Sequence, residues 1–470
     1  MAVSLPALLF GLRAPVGRRA YALAGVTLMA VKYSTDALLV YLWTGRVFHP
    51  LDYLNPVLAM RAEAVTSEGA GAAPQTLLLL LALLALPYLW IGLSMTMRRA
   101  VDAGRSPWWS FLFFAPGVNL ALMVTLALLP SRAVASDAPA APAPVVDARL
   151  RSALVGLVAG LAIAGAMTLL SVFVLGAYGA SLFMGTPLVM GAAAAWLHNR
   201  EHPRRQGETI VVALTSVFMA GAALLLFALE GILCLTMALP IAAVLAVAGA
   251  LVGRTIALGA QTARAHPIAL LLGLPLASGV ESAVRDLPVH EVETVREIDA
   301  PPEVVWRHVV SFSELPPPTE WFFTAGIAYP KRARMEGTGV GAVRYCEFST
   351  GAFVEPITTW DAPHRLAFDV RSQPEPMTEL SPYAFVNAPH LDDALRSRRG
   401  EFRLVPLDGG SRTRLEGSTW YTLDMGPTTY WRLWSDALLH AIHGRVLDHI
   451  ADLAETDVQG AQGVRSTTGQ

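Results

Sequence analysis

Charge is scarce in this chain. Of 470 residues only 15% are Asp, Glu, Lys or Arg, where soluble domains carry roughly a quarter. The shortfall is uneven: residues 20–260 hold nearly all the long apolar runs, while 280–470 have the mixed composition of a soluble domain. Cysteine is scarcer still. Cys234 and Cys346 stand in unlike surroundings, which excludes a disulfide framework and a thiolate metal cluster. Net charge is −2, so no excess of positive charge argues for nucleic acid as a partner. No nucleophile–base motif is present, and no cofactor or metal is expected.

What the chain does have is apolar length. A bilayer core of about 30 Å needs roughly 20 apolar residues as helix, and six segments qualify: Ala20–Trp43, Thr76–Met97, Ser152–Leu175, Ser181–Leu197, Thr209–Phe227 and Cys234–Val252. A seventh stretch, Trp108–Leu129, carries Ala115-Pro-Gly-Val-Asn119 near its middle. Proline cannot continue a helix and glycine favours a break, so this stretch reads as a broken or re-entrant segment, with a kinked single span as the alternative. The Ala- and Pro-rich stretch 131–150 reads as a linker. It divides an N-terminal membrane module, 1–130, from a four-span module, 151–260.

Basic clusters set the expected orientation. Arg13, Arg18 and Arg19 precede the first span; Arg98, Arg99 and Arg105 follow the second; Arg132, Arg149 and Arg151, then Arg200, Arg204 and Arg205, then Arg254 and Arg264 recur two spans apart. The turns between them, Gly176–Ala180 and Glu230–Gly231, carry no Lys or Arg. With re-entry at Trp108–Leu129 every cluster falls on one side, which the positive-inside rule makes cytoplasmic. Six spans then bring both termini to the cytoplasm. Pro267–Ser278 is apolar but too short to span, so 261–287 reads as an interfacial connector.

Inside the spans, Lys32 and Asp36 share a helix face and read as a neutralising pair. Gly156, Gly160 and Ala164 form a small-residue stripe suited to close packing within the bundle, with a homo-oligomer face as the alternative. Residues 98–109, Arg98-Arg-Ala-Val-Asp102-Ala-Gly-Arg-Ser-Pro-Trp108-Trp109, resemble the marker of the bacterial membrane domain of unknown function family 805. The resemblance covers roughly Gly11–Pro130 and implies location in a bacterial inner membrane, without established chemistry. Asp102 is expected to pair with Arg98, Arg99 or Arg105, and the two tryptophans suit the membrane interface.

From Val289 the pattern changes to a strand, a Pro-capped helix start at Asp299–Glu303, three strands over Gly339–Arg371, a hairpin about Asp408-Gly-Gly410, and an amphipathic helix, Thr428–Glu455. The apolar face of that helix is read as Trp431, Trp434, Leu438, Ile442, Val446 and Ile450; the last residues, 457–470, read as a disordered tail. Val292–Trp306, Gly337–Arg344 and Trp360–Phe368, with the closing helix, resemble the SRPBCC or START-like superfamily of polyketide cyclases and lipid-transfer proteins, over about 288–456. The resemblance implies a helix-grip fold, in which a sheet wraps the C-terminal helix around an apolar cavity. The expected architecture is therefore a multi-pass α-helical membrane bundle followed by a cytoplasmic α+β helix-grip domain.

Strand alternation puts Arg344, Cys346 and Phe348 on one face. A turn at Thr350-Gly351 would set Cys346 opposite Glu355, with Arg344 diagonal to it. The expected ligand contacts are Arg344, Cys346, Glu355, Trp420, Trp434 and Leu438. His440 and His443 read as solvated polar-face residues, and no catalytic residue is assigned. Membrane lipids and a hydrophobic small molecule are the expected partners. The function expected is a membrane-tethered domain binding or sensing such a molecule; a cyclase- or dehydratase-type enzyme with Glu355 as base, and a non-catalytic membrane scaffold, are the alternatives.

Overall fold

A computed structural model describes residues 4–11, 14–50, 75–114, 118–131, 148–227, 229–259, 266–381 and 388–467. The bulk of the expected linker, the break at 115–117 and Arg13, Arg132 and Arg264 lie outside the described residues. The chain forms two compact units: one of Met1–Gly176, Ser181–Ser278 and Ser381–Ala388, the other of Ala177–Ala180, Gly279–Leu380 and Pro389–Gln470.

The first unit is helical. Its elements are α1 (Leu5–Phe10), α2 (Arg18–Thr44), α3 (Gln75–Asp102), a 3-10 helix (Pro107–Phe114) and α4 (Val118–Leu128). Then come α5 (Ala148–Thr168), extended by a π-helical turn (Leu169–Val174); a second π-helical turn (Ser181–Gly185) leading into α6 (Thr186–Asn199); α7 (Gln206–Leu226); α8 (Ile232–Gly259); and α9 (His266–Ala283). Among the described residues four helices are long and apolar enough to cross a membrane: Arg18–Thr44, Ala148–Val174, Gln206–Leu226 and Ile232–Gly259.

Several buried polar groups in this unit are partnered locally, which an apolar surround favours. Lys32 and Asp36 are buried and bonded to each other. Arg98 and Arg99 are fully buried, and both serve helix carbonyls. Arg99 Nε donates to Leu126 O at 2.9 Å, its terminal nitrogens bond Leu129 O and the Asp102 carboxylate, and Ser131 Oγ donates to Asp102 at 2.6 Å. Arg98 bonds Ala7 O and Leu8 O. The last turn of a helix leaves carbonyls without intrahelical donors, and a cation there also meets the negative end of the dipole. The Arg-Arg-x-x-Asp motif is thus a structural clamp, with Arg99 as the partner of Asp102. The 3-10 helix starts where α3 ends, with Arg105 over the Trp109 ring. Phe113 reaches the backbone of Gly92, and α4 comes back to Arg99. The segment therefore begins and ends at the same end of α3.

Glycines set the closest approaches. A Cβ on Gly249 would lie 2.0 Å from Leu188 O, one on Gly253 2.1 Å from Ala192 O, and one on Gly191 2.1 Å from Ala246 O, so α6 and α8 touch backbone to backbone. The stripe on α5 is consumed in the same way. Gly156 faces Ala194, Gly160 faces Ser216, and Ala164 packs with Met190 and Val217. The stripe at Gly156, Gly160 and Ala164 is thus packed within the bundle against α6 and α7, the first of its two readings.

The expected interfacial connector differs too. Residues 266–283 form α9, whose Leu274 is packed among Met167, Val189 and Leu182 and whose Ser278 Oγ lies 2.9 Å from Ser171 Oγ. On the other side of α9, Leu272, Leu276 and Val280 are exposed at helical spacing. Pro267 and Pro275 shorten the apolar run in the sequence without interrupting the helix.

The second unit is α+β. Its strands are β1 (Val289–Ile298), β2 (Pro330–Glu336), β3 (Val343–Phe348), β4 (Gly351–Asp361), β5 (Arg365–Asp369), β6 (Leu395–Leu407) and β7 (Arg412–Leu423). They form one antiparallel sheet in the order β1-β7-β6-β5-β4-β3-β2. Two short helices, α10 (Pro302–Val310) and α11 (Trp321–Ala325), join β1 to β2; α12 (His390–Asp393) precedes β6; and α13 (Thr428–Thr467) closes the chain. α13 runs well past Glu455, so helix replaces most of the expected disordered tail. Val446, Leu447, Ile450, Ala451 and Ala454 of α13 pack with Ile298, Val305, Trp306, Leu366 and Leu415. This is a helix-grip core: a curled sheet around a long C-terminal helix. Residues 177–180 join this unit, with Gly426 N–H donating to Tyr178 O at 2.8 Å and Glu281 accepting from the Ala180 N–H.

Candidate functional site

Strand alternation on β3, β4 and β5 points Arg344, Cys346, Glu355 and Phe368 inward. β6 and β7 add Phe402, Gly417 and Thr419, and α13 supplies Leu439, Ile442, His443 and Val446. Together these line a cavity of about 110 Å³ between sheet and helix. Sites of this kind are largely apolar, with a few polar groups that fix orientation.

The hairpin turn lies at Ser349-Thr350, one residue earlier than expected, because Phe348 pairs with Gly351. Arg344 is therefore directly opposite Glu355, and Cys346 opposite Phe353. Arg344 Nη1 donates to Glu355 Oε2 at 2.5 Å. Both side chains are buried, with Arg344 2% and Glu355 5% exposed. The guanidinium carbon sits 5.3 Å from the Phe368 and Phe402 ring centres and 5.7 Å from that of Phe312, in the range of cation–π attraction. Arg344 Nε is buried and has no hydrogen-bond partner among the described residues. Burial pushes the Glu355 carboxyl upward, and the adjacent guanidinium opposes that shift. Burial also pushes the Cys346 thiol up to about 12, so it stays protonated and a poor nucleophile.

The second polar feature was read in the sequence as solvent-facing. His443 lines the cavity; its Nε2 lies 2.8 Å from Thr419 Oγ1 and its Nδ1 3.1 Å from Thr294 Oγ1, which also meets His440 Nδ1 at 2.8 Å. Burial, with His440 adding to it, lowers His443 to about 4. It is therefore a neutral imidazole with both nitrogens engaged, while His440 is exposed.

Of the six expected contacts, Arg344, Cys346 and Glu355 meet in the cavity wall. Trp420, Trp434 and Leu438 are half-buried and absent from it. Trp420 follows Thr419 on β7, so its ring points to the opposite face, where Arg399 stacks on it at 3.9 Å. On α13 the cavity side runs through Leu439, Ile442, His443 and Val446, about one residue round from the face read in the sequence. A histidine at its centre hid that face. Phe368 and Phe402 were missed as cage residues, although Phe368 follows from alternation with Leu366 in Arg365–Asp369.

Residues 9–136 match the family model described as protein of unknown function DUF805, and residues 289–455 match that of polyketide cyclase / dehydrase and lipid transport. The two matches divide the chain as its composition does. No curated protein matches. Among solved structures, a norcoclaurine synthase point mutant from Thalictrum flavum with a transition-state analogue is 13% identical, over 36% of this chain and 96% of its own, at a TM-score of 0.24. A protein from Nitrosospira multiformis is 15% identical, over 36% and 99%, also at 0.24. A protein from Mesorhizobium loti is 15% identical, over 36% and 98%, at 0.23. Likeness at that level carries no argument about activity.

Proposed function

We propose that this chain is a membrane-tethered binding protein of a bacterial inner membrane, whose helix-grip cavity takes a hydrophobic small molecule bearing an oxygen acceptor. One observation carries this reading: the buried Nε–H of Arg344, without a partner among the described residues and set in an aromatic cage on the wall of a cavity whose apolar part includes Phe368, Phe402, Ile442 and Val446. An unmet buried donor costs roughly 1–3 kcal/mol or more when charged, which a carbonyl, carboxylate or phenolic oxygen would relieve. Phe368, Phe402, Ile442 and Val446 suit the apolar body of the molecule, and the neutral His443–Thr419 pair offers a second polar contact. The match of 289–455 to a lipid-transport and cyclase family supports a hydrophobic ligand. The apolar helices support the tether. A tether holds the domain at high effective concentration near ligands dissolved in the bilayer. Binding is favoured over a cyclase or dehydratase activity, because Glu355 is engaged by Arg344 and both His443 nitrogens are engaged by threonines.

The test is native mass spectrometry of the full chain in lipid nanodiscs, with and without added palmitate and a short-chain quinone. A bound small-molecule mass, lost in Ile442→Trp and weakened at least tenfold in Arg344→Met, supports the reading. A wild-type chain that carries nothing and takes up neither probe overturns it.

A further inference from the structure

The helical unit has a basic end. At the start of α5, Arg149 pairs with Glu208 of α7, and Ser152 Oγ lies 2.9 Å from His198 of α6. Near the end of α8, Arg254 donates to Arg204 O at 3.1 Å. Met97 of α3, beside Arg98 and Arg99, packs with Ala153 and Leu154 at the same level. Tyr21, beside Arg18 and Arg19, meets Thr96 at 2.9 Å. The described arginine clusters of both modules therefore share one end of the bundle.

α9 leaves that end. It follows α8 after a short connection, yet its Leu274 and Ser278 pack against Met167 and Ser171 on α5 and its π-helical continuation. At 1.5 Å per residue, Ser171 is roughly 30 Å from the level of Arg149, about one hydrocarbon thickness. α9 itself has 18 residues, roughly 27 Å of helix. One side of it is packed on the bundle and the other shows the exposed row Leu272, Leu276 and Val280, a surface suited to lipid.

We propose that α9 is a further crossing, following α8 from the basic end, so that the chain reaches the helix-grip domain on the exoplasmic side of the membrane. Positive loops stay in the cytoplasm, so α8 ends there, and a crossing by α9 carries residues 284–467 to the other side. This reverses the cytoplasmic placement that six crossings imply. The cavity then draws its ligand from the outer leaflet or the space beyond it. The inference holds whether or not the cavity carries ligand, so it stands or falls separately from the binding reading.

The experiment fuses reporters to the full chain behind Thr467 and, as a control, behind Gly259. Alkaline phosphatase is expected to be active and green fluorescent protein dark behind Thr467, with the reverse behind Gly259. A fluorescent C-terminal fusion with an inactive phosphatase overturns the inference. A measurement free of fusions decides the same point. In intact cells, a membrane-impermeant maleimide is expected to label Ser411→Cys and to label Arg200→Cys only after permeabilisation. The opposite pattern overturns the inference.

Discussion

The Arg344–Glu355 pair faces two opposing physical demands. Two charges lifted out of water are expensive, and their attraction offsets that cost only when geometry and remaining hydrogen bonds are good. Here one bond is made and Nε is left over. Arg344→Ala, which strands the Glu355 carboxyl, is expected to destabilise the domain by about 3–5 kcal/mol. The paired replacement Arg344→Met with Glu355→Leu should recover most of that loss while abolishing selectivity for oxygen-bearing ligands. Denaturant midpoints of the sheet domain measure both, and a single variant as stable as wild type would show that the pair contributes nothing to the fold. The histidines set the acid response. His443 and His390 are held neutral by burial, each near 4, against about 6.5 in an unfolded chain. The folded values are depressed, so between those limits the unfolded state binds more protons. Stability is complete above about pH 6.5 and is lost as pH falls toward 4. Thermal melts across that window are expected to show the decline, and His443→Gln should flatten it. An unchanged slope in His443→Gln would mean that His443 is not one of the titrating groups.

At the scale of elements, close helix contact depends on the absence of a Cβ. Gly249→Val drives a side chain into the backbone of α6 at Leu188 and is expected to separate α6 from α8, at more than about 3 kcal/mol, in the upper range for single substitutions. Gly165→Val, with nothing within 4 Å of its Cβ position, is expected to be near neutral. Thermal aggregation of the purified protein in detergent distinguishes them. Much of this architecture is legible in the sequence, because continuous apolar runs, strand alternation and the Asp-Gly-Gly turn each report a period that the backbone obeys. What escaped were features set by neighbours. The apolar run of α9 is broken up by proline and serine, so hydropathy alone undervalues it, and its packing on Met167 and Ser171 shows where it runs. The β3–β4 register turned on which two residues form the turn, and a one-residue shift changes every cross-strand partner. The cavity side of α13 was concealed by His443, a polar residue made tolerable there by two threonines from different strands. Arg344, Cys346 and Glu355 were readable since alternation alone directs them inward.

For the molecule as a whole, sidedness is an odd-or-even question, and α9 decides it. Removing residues 266–283 takes away one crossing while leaving the arginine clusters and the other helices in the chain. The positive-inside rule still holds those clusters in the cytoplasm. The chain then emerges beside Arg254 rather than at the far end, and the helix-grip domain changes compartment. The deletion variant is therefore expected to turn a dark C-terminal green fluorescent protein bright and to hide Ser411→Cys from an impermeant maleimide in intact cells. If the deletion left that cysteine labelled from outside, α9 would not be a crossing.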